Sequence, residues 1–320
     1  MMTTIEDIDI STNINGIQLD SCIMNASGIF CSTEKELNIL IQNSYLGAVV
    51  TKSCTLKTKT GNPFPRCFQW GAGSINSVGL ANLGIDFYLS FLKTTSLKKP
   101  IFLSLSGSSF EENYMLLKKT NPYSDFISAI ELNLSCPNIL GDKKVLGYDF
   151  HNMPYFLDRL FNLYNNPLGI KLPPYFNEYD IAKLSSILNK YPVDFVTCVN
   201  SLPNGLFINV EKETIVIKPN KGFGGIGGLG IKPFALSNVR QFYNYLRKDI
   251  SVIGCGGIKY GTDIFEHILC GASAVQIGTQ FLIEGISVFH RLLFELIELL
   301  QNKNYFSLKE FKGKLRTINN

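Results

Sequence analysis

Asn133-Leu-Ser-Cys136-Pro-Asn138 sets a thiol between two primary amides, directly after the apolar run Phe126-Ile-Ser-Ala-Ile-Glu-Leu. A thiol at the end of a buried strand can serve as an acid or base, and flanking amides can donate to and accept from a flat polar ring. Other apolar runs end in the same manner. Asn25-Ala26-Ser27-Gly28 closes the first, Thr51-Lys52-Ser53 the second, Lys171 the fifth and Asn200-Ser201 the sixth. Gly254-Cys-Gly256-Gly257 closes the seventh and Gly278-Thr279 the eighth. One lysine at a strand end reads as a snorkelling charge. Two lysines and three asparagines on one face read as a site.

Repeated strand–helix units must position these residues. Short β-rich runs are predicted at 22–26, 47–52, 101–104, 127–134, 168–172, 195–200, 252–254 and 274–277. Amphipathic helical patterns fall at 34–42, 87–97, 111–119, 153–164, 178–189, 235–246 and 263–269, with a last one from near 286 to about 301. About eight such alternations in 320 residues predict an α/β fold, a (β/α)₈ TIM barrel spanning residues 1–320 as one domain. A doubly wound sheet is the competing architecture. Runs at 8–10 and 17–19 flank the turn Asn13-Ile-Asn-Gly16 and predict an N-terminal hairpin that plugs the barrel's bottom. Connections 55–84 and 201–232 are too long for simple loops and are predicted as insertions at the C-terminal face, where barrel sites are built.

The glycines around 256 and 278 fall after the seventh and eighth runs, where barrels frequently bind phosphate. Gly222-Phe-Gly-Gly-Ile-Gly-Gly228 reads as a third, flexible glycine stretch. A phosphate site without a Walker lysine points to a phosphorylated cofactor. FMN would fit, with Lys171 facing the pyrimidine edge of its ring; pyridoxal phosphate on Lys52 or Lys171 is the rival.

The totals exclude other classes. A net charge of +4 without a basic block gives no support for nucleic-acid binding. Eight cysteines without a Cys-x-x-Cys pair, and three histidines, give no support for a metal site, so most thiols are expected to be reduced and buried. The N-terminus has no apolar signal region and no run reaches the length of a membrane helix, so no membrane partner and a cytoplasmic protein are expected.

Together the blocks Thr51-Lys-Ser-Cys-Thr55, Gly61-Asn-Pro-Phe-Pro-Arg66, Gly73-Ser-Ile-Asn-Ser-Val-Gly-Leu80, Asn133–Asn138, Lys171-Leu-Pro-Pro-Tyr-Phe176 and Phe223–Gly228 resemble the dihydroorotate dehydrogenases over nearly the whole chain. Cysteine at 136, with Asn82-Leu-Gly-Ile-Asp-Phe-Tyr-Leu89, resembles the soluble, fumarate-linked class 1A, a homodimer. The alternative is a class 1B catalytic subunit, which passes electrons to NAD through a partner flavin/iron–sulfur subunit. A barrel that binds a phosphate ligand without catalysis would leave the strand-end residues accidental.

The resemblance implies oxidation of dihydroorotate to orotate in pyrimidine biosynthesis, with fumarate reduced to succinate. Cys136 would remove the C5 proton while the C6 hydride passes to FMN, and Lys52 would supply charge beside substrate and flavin. Asn76, Asn133, Asn138, Asn200 and Ser201 would hold the substrate ring and carboxylate, and Val78, Gly79 and Leu80 would complete the carboxylate pocket. Ala26, Ser27, Gly28, Lys52, Ser53, Asn133, Lys171, Val199, Ser201, Gly225, Gly256, Gly257, Gly278 and Thr279 would hold FMN. The chain departs from the pattern in the loop 138–148, at Val78 in place of methionine, at Ala81 in place of proline, and at Pro203.

Overall fold

The computed structural model describes residues 8–71, 73–96, 98–135 and 145–318. Cys136 and Asn138 lie outside the described residues. Eight strands form one sheet: Ile23–Asn25 (β1), Val49–Val50 (β2), Ile101–Leu105 (β3), Ala129–Asn133 (β4), Leu168–Lys171 (β5), Phe195–Cys198 (β6), Ser251–Cys255 (β7) and Ala274–Ile277 (β8). Each neighbouring pair from β2 to β8, and β8 with β1, runs parallel. A parallel bridge between Met24 and Ala48 joins β1 to β2 and closes the ring. The barrel replaces the doubly wound alternative.

Strands such as Ile101-Phe-Leu-Ser-Leu105 and Ala274-Val-Gln-Ile277 are buried at every position. That is what parallel strands covered on both faces require, and it accounts for their near-continuous apolar runs. Outside the ring, helices bury one stripe each. In Met153–Leu163 the buried Met153, Phe156, Leu157 and Leu160 recur at helical spacing, with Pro154 in the first turn, where a missing N–H costs nothing. Helix Glu34–Gln42 starts on a capping box: Thr33 Oγ1 accepts from the Glu36 N–H, and Glu36 Oε2 accepts from the Thr33 N–H.

Inside the ring, the lower layer is apolar. Met24, Ala48, Val50, Phe102, Ala129, Phe195, Ile253 and Ala274 pack with Ile14 and Leu19 of the N-terminal hairpin. The hairpin therefore does plug the barrel, but its first strand is Thr12–Ile14, not 8–10. Asn15 (φ 42°) and Gly16 (φ 95°) form the tight turn, because Asn-Gly tolerates the positive φ that a two-residue hairpin turn requires. Residue 9 instead bridges to Ser307.

One further expectation gains detail and another needs correction. The 55–84 connection contains strands Cys67–Trp70 and Gly73–Asn76, and the glycine stretch expected to be flexible is the strand Phe223–Gly228. With Leu202–Leu206 these make a four-stranded antiparallel sheet. The glycines belong there for closeness. A Cβ on Gly224 would come within 2.6 Å of Asn76 O, and one on Gly227 within 2.7 Å of Thr279 Oγ1. A short helix at Thr279–Glu284, and starts at Ile85, Lys232 and Gly261 that precede those read from the pattern, complete the differences.

Candidate active site

The polar upper layer of the barrel opens into one cavity of about 610 Å³, within the range of small-molecule sites. Its wall includes Ala26, Ser27, Gly28, Lys52, Ser53, Asn76, Val78, Leu80, Asn133, Lys171, Val199, Asn200, Ser201, Gly225, Gly256, Gly257, Gly278 and Thr279. Of the described residues given a binding role by the family resemblance, Gly79 alone is absent from that wall; the strand-end residues Asn25 and Thr51 are absent from it as well. At φ 74° Gly79 turns toward the Gly61–Arg66 loop, and a Cβ there would sit 2.6 Å from Asn62.

The asparagines are held by one another. Asn133 Nδ2 donates to Ser53 Oγ at 3.2 Å, and its Oδ1 accepts from the Ser135 hydroxyl at 2.6 Å. Asn200 Nδ2 donates to Ser135 Oγ at 2.6 Å. The chain Ser104, Ser53, Asn133, Ser135, Asn200 thus links β3, β4 and the ends of β2 and β6, which fixes each amide's orientation. Asn25 is used differently: its amide bonds both the N–H and the C=O of Val50 and ties β1 to β2. Asn62 and Asn82 hold the 77–80 loop. Asn62 Nδ2 donates to Ser77 O at 2.9 Å, and Asn82 Nδ2 donates to Leu80 O at 2.7 Å. Leu80 sits at φ 55°, an uncommon conformation for a side chain of that size and one that over-determined functional loops tolerate.

Lys171 ends β5 at the cavity floor, almost fully buried. Its Nζ donates to Gln276 Oε1 at 2.7 Å and lies 3.9 Å from Glu131 Oε1. Burial pulls the Lys171 pKa down, but Cys255, Glu131 and Cys31 outweigh it and the balance is raised. Cys255 and Cys31 are themselves thiols whose pKa burial pushes up, Cys31 to about 12, so Glu131 is the remaining acidic partner. All seven described cysteines are free and have raised pKa values, with burial the largest cause. Six are buried as expected; Cys67 is exposed.

The glycines fit a phosphorylated, flat-ringed group. Gly256 and Gly257 hold φ of 118° and 77° at the end of β7, and a Cβ on Gly225 would stand 2.2 Å from Ser201 Oγ. Cationic, amide and hydroxyl groups on the floor suit a polar ring. Sequence reasoning missed Glu131, Gln276, Ser104 and Ser135, which lie within or just after strands whose other residues are apolar, and Arg66 and Cys67 on the inserted hairpin. The block Gly61–Arg66 was the signal for Arg66; for Glu131 the signal was a carboxylate inside an apolar run.

A family model described as dihydroorotate dehydrogenase matches residues 9–300. The chain belongs to the dihydroorotate dehydrogenase family. It is 50% identical over 314 residues to a putative dihydroorotate dehydrogenase A (fumarate) of Streptococcus agalactiae, covering 97% of this chain and 100% of that protein. It is 49% identical over 299 residues to dihydroorotate dehydrogenase (fumarate) of Lachancea kluyveri, covering 92% and 94%. The crystal structure of DHODH from Eimeria tenella in complex with ferulenol superimposes with a TM-score of 0.79 at 19% identity, over 96% of this chain and 88% of that one. That likeness speaks to the barrel. Among dihydroorotate dehydrogenases these curated relatives are of the fumarate type, which is class 1A.

Proposed function

We propose that this protein oxidises dihydroorotate to orotate in pyrimidine biosynthesis and reduces fumarate to succinate, with FMN held in the barrel-mouth cavity. The observation that carries the reading is the convergence of Lys52, Lys171, Asn76, Asn133 and Asn200 on one cavity at the C-terminal ends of the strands. FMN held there would supply the two-electron carrier between C6 of dihydroorotate and fumarate, whose reduction to succinate takes up a hydride and a proton.

The chain's own residues do the rest. Ala26, Ser27, Gly28, Ser53, Val199, Ser201 and Gly225 line the ring's space; Gly256, Gly257, Gly278 and Thr279 offer backbone N–H groups to the phosphate. Lys171 presents its ammonium to the pyrimidine edge, where reduction builds negative charge. Lys52 neutralises charge where substrate and flavin meet. Asn76, Asn133, Asn138, Asn200 and Ser201 bind the substrate ring, and the backbone from Val78 to Leu80 takes its carboxylate. Cys136 removes the C5 proton, which is α to a carbonyl and so needs a positioned base.

Pyridoxal phosphate chemistry is disfavoured at Lys171. A Schiff-base lysine needs a lowered pKa, whereas this one is engaged by Gln276 and Glu131 and its pKa is raised. The class 1B alternative is not favoured, given relatives named for fumarate. No helix of the described residues is long and apolar enough to cross a membrane. A single-domain homodimer in the cytoplasm belongs to the same reading, on the family resemblance.

Anaerobic titration tests it. L-dihydroorotate should bleach the flavin absorbance of the loaded protein, and fumarate alone should restore it. Bleaching restored only by NAD⁺ with a second subunit would replace the fumarate reading with class 1B; no bleaching would overturn the substrate.

A further inference from the structure

Beneath the cavity lies an ionic device that the reaction as set out above does not use. Glu131 points into the barrel from β4 and is fully buried. Its Oε2 accepts from Thr197 Oγ1 of β6 at 3.0 Å and from Gln276 Nε2 of β8. The same Gln276 accepts from Lys171 Nζ through Oε1. Glu131 Oε1, 3.9 Å from that Nζ, has no hydrogen-bond partner.

The amide between the two charges has one workable orientation. Its NH₂ must face the carboxylate, which only accepts, and its carbonyl must face the ammonium, which only donates. Glu131, Gln276 and Lys171 therefore form a polarised line across the barrel's interior, ending at the cavity floor. Such a line is a poor choice for stability alone. A buried ion pair can often be replaced by apolar residues without loss, and here one carboxylate oxygen is left without a donor. Its position directly under the cavity suggests what it serves.

We propose that Glu131, acting through Gln276, is the counter-ion that keeps Lys171 an ammonium and aims it at the ring bound in the cavity. Glu131 is a positioning residue; what Lys171 faces rests on the flavin reading above. Among the described residues, Cys255 and Cys31 beside Lys171 are neutral thiols, and Lys52 lies on the same cavity wall. Without the carboxylate, burial would favour the neutral amine. A neutral Lys171 donates less strongly and can no longer balance negative charge on a reduced ring.

The test uses the full chain in two states. In flavin-free protein, Lys171 is acylated with acetic anhydride across the pH range and its modification is read by mass spectrometry. Glu131→Gln should lower the labelling midpoint by about 2 pH units or more, as desolvated lysines show. Glu131→Asp, which keeps the charge, should stay near wild type. With FMN bound, the midpoint potential of Glu131→Gln should bend with pH at that same midpoint, while the wild type shows no bend there. An unshifted labelling midpoint in Glu131→Gln overturns the proposal. A shifted midpoint in a protein that binds no FMN keeps the counter-ion and overturns the flavin reading instead. If Glu131→Gln does not fold, the double variant Glu131→Gln/Lys171→Met decides: recovered folding supports the pair, and a double variant as unfolded as the single one overturns it.

Discussion

A single methyl group at position 225 would stand 2.2 Å from Ser201 Oγ and 2.9 Å from Ser201 Cβ, both on the cavity wall. Gly225→Ala should therefore lose about 1–3 kcal/mol of stability through overpacking and purify with less FMN, read by thermal unfolding and the flavin-to-protein ratio. A full flavin complement would show that the wall gives way elsewhere. His267 acts from below the same face. Its Nε2 lies 3.1 Å from Gly256 O; a carbonyl only accepts, so Nε2 carries the proton, and Nδ1 is left without a partner. Burial holds its pKa down, at about 4 against an ordinary 6.5. The unfolded chain therefore binds a proton below about pH 6.5 that the folded one refuses until about pH 4. Stability from this group is complete above pH 6.5 and is lost as pH falls toward 4, about 3 kcal/mol in all. Urea unfolding at a series of pH values should show that slope, and His267→Gln should flatten it. A free thiol titrates near about 8.5, so with Cys136 as the base turnover should rise between roughly pH 7 and 9. Cys136→Ser should keep weak activity and Cys136→Ala almost none; a flat wild-type profile would remove the thiol from the mechanism.

Elements divide the barrel into a face that holds it together and a face that holds ligands. Ile14, fully buried at the bottom with Phe102 and Phe195, belongs to the first. Ile14→Ala should cost about 2–5 kcal/mol yet leave flavin binding intact at temperatures where the protein stays folded; loss of flavin without loss of stability would contradict the division. The barrel strands were legible because fully buried parallel strands write themselves as unbroken apolar runs. Their polar ends were legible for the converse reason: Lys52, Asn133, Lys171 and Asn200 interrupt those runs where the strands reach the cavity. The strand Phe223–Gly228 was not, because four glycines in six residues leave no alternation to read; closeness to Asn76 and Thr279 chose them. Thr279–Glu284 is too short for a helical period. Glu131 and Gln276 lie inside β4 and β8, where a lone polar residue reads as noise until the ring brings them together.

The antiparallel sheet over the mouth gives the whole molecule two tasks. Asn76, Ser201 and Gly225 face the cavity from it or its margin. At its edge and beyond it, Leu206, Ile208, Val210, Ile215 and Phe223 are exposed apolar side chains, Val210 at 83%. Leu206, Ile208 and Val210 alternate with less exposed neighbours, so they form one outward row. Phe68, Trp70 and Phe207 stack beside them and stiffen the hairpin, with ring centroids 5.2 and 4.7 Å apart. A row of this kind left to water is a liability, and the homodimer of our reading would cover it. Light scattering on a sizing column should then give the mass of two chains. Ile208→Glu with Val210→Glu should weaken that association at least about tenfold, ~1.4 kcal/mol, because each places a charge where apolar area would be buried. The wall strand Phe223–Gly228 pairs with Leu202–Leu206, whose end leads into the exposed row, so the separated chains should also hold FMN less tightly. A double variant that stays dimeric would put the interface on another face. One that separates but binds FMN as before would uncouple the outer row from the cavity wall.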